Sequence, residues 1–424
     1  MIRGSERLHF EFPAIWLAVL KGIYLDHHAT TPMDPLVFDA MLPWMREYYA
    51  NPGSTTHEAG RYAKQQIELA IASIGHFFGA TADDVVITSG ATESNNLAVF
   101  GICLHPRQKR RKIVSVTTEH HAMLGPLRKL ERQGFEVEWV PVLQHPSADA
   151  GMVDLQKMVE AIDDRTAFVS VMLANNEIGV VQPLTAIVER CVRYGVVLHT
   201  DASQAVGRLD VNIADLGVDL LSFSAHKIYG PKGVGGLILS SARRNQRLAP
   251  QIVGGGQQNN LRSGTLNTTG IIGLAKSLEV ALQRREVDVA NAWALRSRLW
   301  QSLSNQIDGL RINGPEWNDC PPSSDGSRKE LQKRRLAANL NICFPKVDGQ
   351  SLMLEAPALA VSSGSACTSA NPEASHVLLN IGRNEDEARG SIRFGIGRFN
   401  TETEIDHASE MLIKAYRKLA VFVA

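Results

Sequence analysis

The chain is poor in cysteine, with five among 424 residues: Cys103, Cys191, Cys320, Cys343 and Cys367. Their number is odd, their spacing is wide and no C-x-x-C occurs, which argues against a disulfide framework and a zinc site. Such usage fits a reducing compartment. Net charge is missing too: Lys+Arg and Asp+Glu both total 44, so no global field favours nucleic acid or an acidic membrane. Two basic runs, RQKRRK (107–112) and QKRR (332–335), have no interleaved aromatics and read as solvated loops. The apolar run FPAIWLAVL (12–20) is too short to span a bilayer, and Glu6 and Glu11 ahead of it make a poor signal peptide. It reads as an N-terminal extension packed on the body, and the expected location is cytoplasmic, away from membranes. Neither G-x-x-x-x-G-K-[ST] nor a G-x-G-x-x-G between strand and helix is found, so no nucleotide loop is indicated.

What is there is a long, ordinary globular sequence, 44% hydrophobic and 21% charged, with room for two or three domains. Short β-branched runs alternate with amphipathic stretches from about 84 to 240. The runs are DVVITSG (84–90), KIVSVTTEH (112–120), FEVEWVPV (135–142), TAFVSVMLAN (166–175), VVLHTDAS (196–203), DLLSFSAH (219–226) and VGGLILS (234–240). Apolar strands alternating with helices predict an α/β fold with a mainly parallel sheet covered on both faces. The interval between 226 and 234 is too short for a helical crossover, so an antiparallel pair is expected there. A helical region follows at about 269–309, then a Pro/Ser/Asp/Gly-rich stretch, GPEWNDCPPSSDGSRKE (314–330). Strands near 339–344, 359–363 and 391–397 and a helix from about 402 complete a smaller α+β domain. The division expected is a large domain over 39–282 and a small one from 1–38 and 283–424. Within the latter, 314–335 reads as an exposed insertion and 361–375 as a mobile cysteine loop.

Three strand ends carry polar groups that should meet in one crevice, because ligands of open α/β sheets bind at the carboxyl ends of strands. In ITSGATESNN (87–96) a helix opens after Ser-Gly, and its free amides with Ser89 and Thr92 suit a phosphate. In HTDASQAVG (199–207) Asp201 ends a buried strand and needs a partner to stay charged. In SFSAHKIYGPKG (222–233) Lys227 ends an apolar strand, where burial favours a neutral, nucleophilic amine. Singly, the first has an ordinary reading as a capped turn and the second as a helix cap. Together they meet the requirements of pyridoxal 5′-phosphate (PLP): a phosphate site, an amine for the aldehyde and a carboxylate for the pyridine nitrogen.

TSGATESNN, TEHHAML, NNEIGVVQP, HTDASQAVG, SFSAHKIYGPKG, RSGTLNT, VSSGSACTS and SIRFGIGRFNT resemble, in order, the motifs of cysteine desulfurases. These are PLP enzymes of the class V aminotransferase group with fold type I, built on a seven-stranded sheet. The resemblance runs from YLDHHATTP (24–32) to the last helix, and the cysteine loop is similar to that of the longer-loop subgroup serving iron–sulfur clusters and tRNA thiolation. It implies that Lys227 joins the cofactor aldehyde and then moves protons at the substrate Cα. Asp201 pairs with the pyridine nitrogen, Gln204 with the phenolic oxygen, and Asn176 lies beside the ring and the substrate. Ala91, Thr92, Ser224, His226 and, from a neighbouring subunit, Thr265 hold the phosphate. His120 stacks on the ring and serves in acid–base steps, while His121 points elsewhere. Arg393 suits the substrate carboxylate, since its planar fork matches two oxygens.

The resemblance further implies a homodimer in which Cys367 takes sulfur from L-cysteine as a persulfide, leaving L-alanine, for transfer to a scaffold or other acceptor protein. A related PLP lyase, such as one acting on selenocysteine, and a sulfur-relay protein with vestigial PLP chemistry are the alternatives. The small residues around Cys367 suit a thiol that must travel. His27 and His28 fall where the family varies, and with no third ligand they do not argue for a metal.

Overall fold

The computed structural model describes residues 22–241, 248–315, 334–363 and 374–421. Cys367 and the middle of the expected insertion therefore lie outside the described residues.

The described residues open with β1 (Ile23–Tyr24), α1 (Pro35–Arg46) and α2 (Glu58–Phe77). The main sheet follows: β2 (Val85–Thr88), β3 (Lys112–Val116), β4 (Glu136–Val140), β5 (Thr166–Ser170), β6 (Val197–Asp201), β7 (Leu220–Ser224) and β8 (Gly235–Leu239). Between them run α3 (Ala91–Cys103), α4 (His121–Arg132), α5 (Leu155–Ala161), α6 (Thr185–Tyr194) and α7 (Ile213–Leu216). The seven strands are those expected from the apolar runs, in the order β2-β8-β7-β6-β5-β3-β4. Every pairing is parallel except those of β8 with β7 and β2, so the antiparallel pair falls where the short 226–234 connection requires it. Every residue of β2, β3, β5, β6 and β7 is buried, whereas the edge strand β4 is partly exposed. That is the burial expected of a sheet covered on both faces.

The helix α8 (Thr268–Ser304) leads into the second part, its first turn capped by Asn267 Oδ1 accepting from the Gly270 amide at 3.0 Å. There follow β9 (Arg311–Ile312), β10 (Asn339–Cys343), α9 (Gly349–Glu355), β11 (Leu359–Ala360) and β12 (Ser362–Ser363). The helices α10 (His376–Asn380) and α11 (Glu385–Arg389), the strand β13 (Ser391–Gly395) and the helix α12 (Glu402–Ala420) complete the chain. The expected strand over 359–363 is two pieces: β11 pairs in parallel with β1, and β12 runs antiparallel to β13. The two-residue strands β1 and β9 are too short to show a period in the sequence. A second core lies here, with Leu25, Trp293, Leu299, Leu340, Ile342, Phe394 and Leu412.

The carboxyl end of β7 and the start of β8 converge on the turn after β2. A Cβ on Gly235 would stand 2.4 Å from Phe223 O and 2.8 Å from Gly90 Cα, so glycine is required for that approach.

Candidate active site

A cleft of about 560 Å³ opens where β2, β3, β6 and β7 end. Its walls carry Ala91, Thr92, His120, Asn176, Asp201, Gln204, Ser224, His226, Lys227 and Arg393, which are all the expected site residues except two. Thr265 is exposed and outside the lining, and Cys367 is among the residues not described.

The phosphate end is set by the start of α3. Gly90 stands at its N-cap with φ 148°, no side chain caps the first turn among the described residues, and the residues that carry its first amides, Ala91 to Glu93, line the cleft. Glu93 in the first turn is drawn away: Oε2 accepts from the Ser89 amide at 2.7 Å and Oε1 from Arg262 Nε at 2.8 Å. Although burial opposes its charge, these partners hold Glu93 below its ordinary value. The same ion pair ties the RSGTLNT loop to this helix. His226, whose Nδ1 lies 3.2 Å from Thr30 Oγ1, is pushed down to about 4 by burial and by Lys227 and Lys232.

Asp201 is buried at the end of β6, where Oδ2 accepts from Asn95 Nδ2 at 2.8 Å and Oδ1 from the Ser203 amide at 2.9 Å. Behind it His199 stands between Ser170 and Ser222, 3.0 and 2.8 Å away, and burial lowers it to about 4. Glu119 is also fully buried, with Oε1 accepting from the Met172 amide at 2.6 Å. Burial first, and the Asp201 carboxylate second, push Glu119 up to about 8.

His120 caps α4: its Nδ1 accepts from the Ala122 amide at 3.1 Å. That commits Nδ1 as an acceptor and leaves the proton of the neutral ring on Nε2. Burial keeps His120 below its ordinary value. His121 is exposed and packs on His376, ring centroids 5.0 Å apart, rather than entering the cleft.

Lys227 follows the buried strand β7, as expected, and is itself half-buried. Its Nζ donates to His28 O and, at 2.8 Å, to Ala29 O, so two backbone carbonyls satisfy the amine. Arg393 is 1% exposed and donates through Nη2 to Asp26 Oδ1 at 2.7 Å and Ser362 Oγ at 3.2 Å, and through Nη1 to Asn176 O at 3.3 Å.

The sequence reading missed His28, Ala29, Thr30, Ser203 and Lys232 as lining residues. The first three belong to a turn with no periodicity, although the quoted YLDHHATTP already marked the segment. His28 is 1% exposed. Gln204 Nε2 donates to its carbonyl at 2.9 Å, and Gln204 Oε1 lies 2.9 Å from its Nδ1.

These residues fit PLP. Two buried polar atoms on the cleft wall, Ser203 Oγ and Arg393 Nε, have no hydrogen-bond partner among the described residues. The uncapped helix start supplies an anion site, and a lysine and a buried aspartate share the same cleft. Among the described residues there is no cluster of His, Cys, Asp and Glu suited to a metal.

An open, mainly parallel sheet with this cleft at its strand ends is the architecture of fold type I PLP enzymes. Residues 23–407 match the family described as Aminotransferase class-V. The cysteine desulfurase IscS of Anaeromyxobacter dehalogenans (strain 2CP-C) is 43% identical over 397 residues, covering 94% of this chain and 93% of its own. The cysteine desulfurase of Homo sapiens is 41% identical over 403 residues, covering 95% and 83%. A solved NifS-like protein superposes with a TM-score of 0.80 at 32% identity, covering 94% of this chain and 100% of its own. The structure described as SspA in complex with cysteine gives 0.73 at 30% identity, covering 89% and 99%. The chain belongs to the class V aminotransferases and, within them, to the cysteine desulfurases.

Proposed function

We propose that this enzyme uses PLP to convert L-cysteine to L-alanine, passing the sulfur to Cys367 as a persulfide. The observation that carries the reading is the convergence of Lys227, Asp201, His120 and Arg393 on the cleft that opens with the uncapped helix α3. Ala91, Thr92, Ser224 and His226 would hold the phosphate, Asp201 the pyridine nitrogen, Gln204 the phenolic oxygen and Lys227 the aldehyde carbon. Bound there, PLP supplies an electron sink for charge developing at the substrate Cα and Cβ.

The protein's own part is positioning and proton movement. Arg393 holds the substrate carboxylate beside Asn176 through the face of its guanidinium not engaged by Asp26. Lys227 leaves the carbonyls of His28 and Ala29 to react, and its freed amine carries the Cα proton. His120 exchanges a proton through Nε2, since Nδ1 is committed to the helix cap. The Cys367 thiolate attacks the substrate sulfur: the S–S bond forms as Cβ–S breaks, the electron pair stays on Cβ, and a proton there completes alanine. The reach supports this step. Ser362 accepts from Arg393 itself, and four residues from Ser363 extend at most about 14 Å.

A homodimer is part of the proposal, with Thr265 completing a neighbour's phosphate site. Exposed apolar side chains along α1, namely Leu36, Phe38, Leu42 and Met45, support it. The persulfide would pass to an iron–sulfur scaffold or another acceptor protein, with no direct role for nucleic acid. The free buried thiols Cys103, Cys191 and Cys343 favour a cytoplasmic setting, and no helix among the described residues is long and apolar enough to cross a membrane.

The test is alanine release from L-cysteine by PLP-reconstituted protein. C367S is expected to keep PLP and lose persulfide and turnover. Full turnover by C367S would overturn the persulfide route.

A further inference from the structure

We propose that His28 is a positioning residue for the cofactor's phenolic oxygen, acting through Gln204. The inference deepens the PLP reading and rests on it.

His28 makes a two-point contact with one amide group. Gln204 Nε2 donates to the His28 carbonyl at 2.9 Å, which settles which end of the amide is nitrogen. Gln204 Oε1 is then an acceptor, so the His28 Nδ1 only 2.9 Å away carries the hydrogen. The remaining ring atom, Nε2, lies 3.3 Å from Ala338 O. Burial first, and then the cations Arg208, Arg393 and Lys227, disfavour a charged ring against the Gln204 contact that favours one; in the neutral ring Nε2 carries no hydrogen and makes no hydrogen bond to the Ala338 carbonyl.

Two contacts fix the plane of the amide, where a single contact leaves it free to swing. Gln204 Nε2 has two hydrogens, and only one is given to His28. The other is directed by the same plane, and Gln204 lines the cleft. The carbonyl of His28 also receives Lys227 Nζ. One residue thereby sets both the amide that meets the phenolic oxygen and the resting place of the amine that meets the aldehyde.

An imidazole is not required for this. Any side chain with a donor at the same distance along the chain serves, and Asn Nδ2 stands where His Nδ1 does. A side chain of similar bulk with no donor removes one of the two contacts and leaves the backbone bond.

The experiment uses the full chain loaded with PLP, comparing wild type, H28L and H28N. One readout is the pH midpoint of the visible PLP band near ~400 nm; the other is PLP affinity by equilibrium dialysis. With the donor to the phenolic oxygen loosened, its electrons are freer to hold the neighbouring proton. H28L should therefore titrate higher by about half a pH unit or more and bind PLP about fivefold more weakly. H28N should stay near the wild-type midpoint. Folded H28L with an unchanged midpoint, or H28N shifted as far as H28L, overturns the role of His28. If H28L does not fold, H28S, whose side chain is too short to reach Oε1, takes its place with the same expectations. A wild-type protein that stays colourless with PLP overturns instead the cofactor reading underneath.

Discussion

Arg393 Nη2 donates to Asp26 Oδ1 at 2.7 Å, with the arginine side chain only 1% exposed. This pair fastens β13 to the turn that follows β1, reinforced by the bridge between Asp26 and Gly395. Removing one partner leaves a buried cation uncompensated. D26A is expected to lower stability by about 3 kcal/mol in urea unfolding. D26N, which keeps an acceptor oxygen, should lose less. The apparent KM for L-cysteine should rise in D26A more than kcat falls, because Arg393 is freed from its orientation.

Gly90 holds a conformation that L-residues avoid, at φ 148°, directly before the uncapped helix. A Cβ there would project into the cradle, 3.5 Å from Ser224 Oγ. G90A is expected to cost about 1–3 kcal/mol of stability through backbone strain. PLP affinity should fall about tenfold or more. Dialysis against PLP, with circular dichroism to verify folding, measures both.

Asn95 is the side chain that holds Asp201 from behind. N95L removes the donor to Oδ2 and leaves only the Ser203 amide on Oδ1. The expected cost is about 1–3 kcal/mol, because a buried carboxylate oxygen loses its partner. The loss should be smaller with PLP bound, whose pyridinium supplies a new donor. Thermal midpoints with and without PLP give the comparison.

Glu119 predicts a pH dependence of stability with a definite sign. Its carboxyl is raised from 4.5 to about 8 by burial and by Asp201, so the folded protein binds this proton more tightly than the unfolded chain. The stabilisation is fully present below about pH 4.5 and is lost as pH rises to about 8. E119Q keeps an oxygen for the Met172 amide and has no proton to lose. It should therefore be more stable than wild type at pH 8.5 by on the order of 1–3 kcal/mol, with the difference vanishing near pH 5. Urea midpoints across that range test it; parallel curves for the two proteins would remove Glu119 as the cause.

Much of the fold and cleft was legible because its signals are local. Each strand of the main sheet falls in a short, mostly apolar run, β-branched in β2, β3 and β5 and Leu/Phe-rich in β7, and the antiparallel strand β8 follows from a connection too short to hold a helix. Lys227, Asp201 and Thr92 stand at strand ends or helix starts, where a parallel sheet puts its binding groups. The turn at Asp26–Thr30 was legible only as part of a resemblance. Nothing in its composition says that His28 meets Gln204, 176 residues away, or that Asp26 meets Arg393, 367 residues away.

By itself, then, the sequence determined the seven strands of the main sheet, the direction of β8, and a set of residues chemically able to serve one cofactor; the short strands β1 and β9 and the division of 359–363 between two sheets it did not. The protonation and orientation of those residues were decided only by tertiary structure. Lys227 rests on two backbone carbonyls, His120 is turned so that Nε2 bears its proton, and Glu119 is shifted first by burial and then by the carboxylate of Asp201. The reason is physical. Propensity and periodicity act over a few residues, but desolvation and hydrogen bonding depend on what the completed fold packs beside each group.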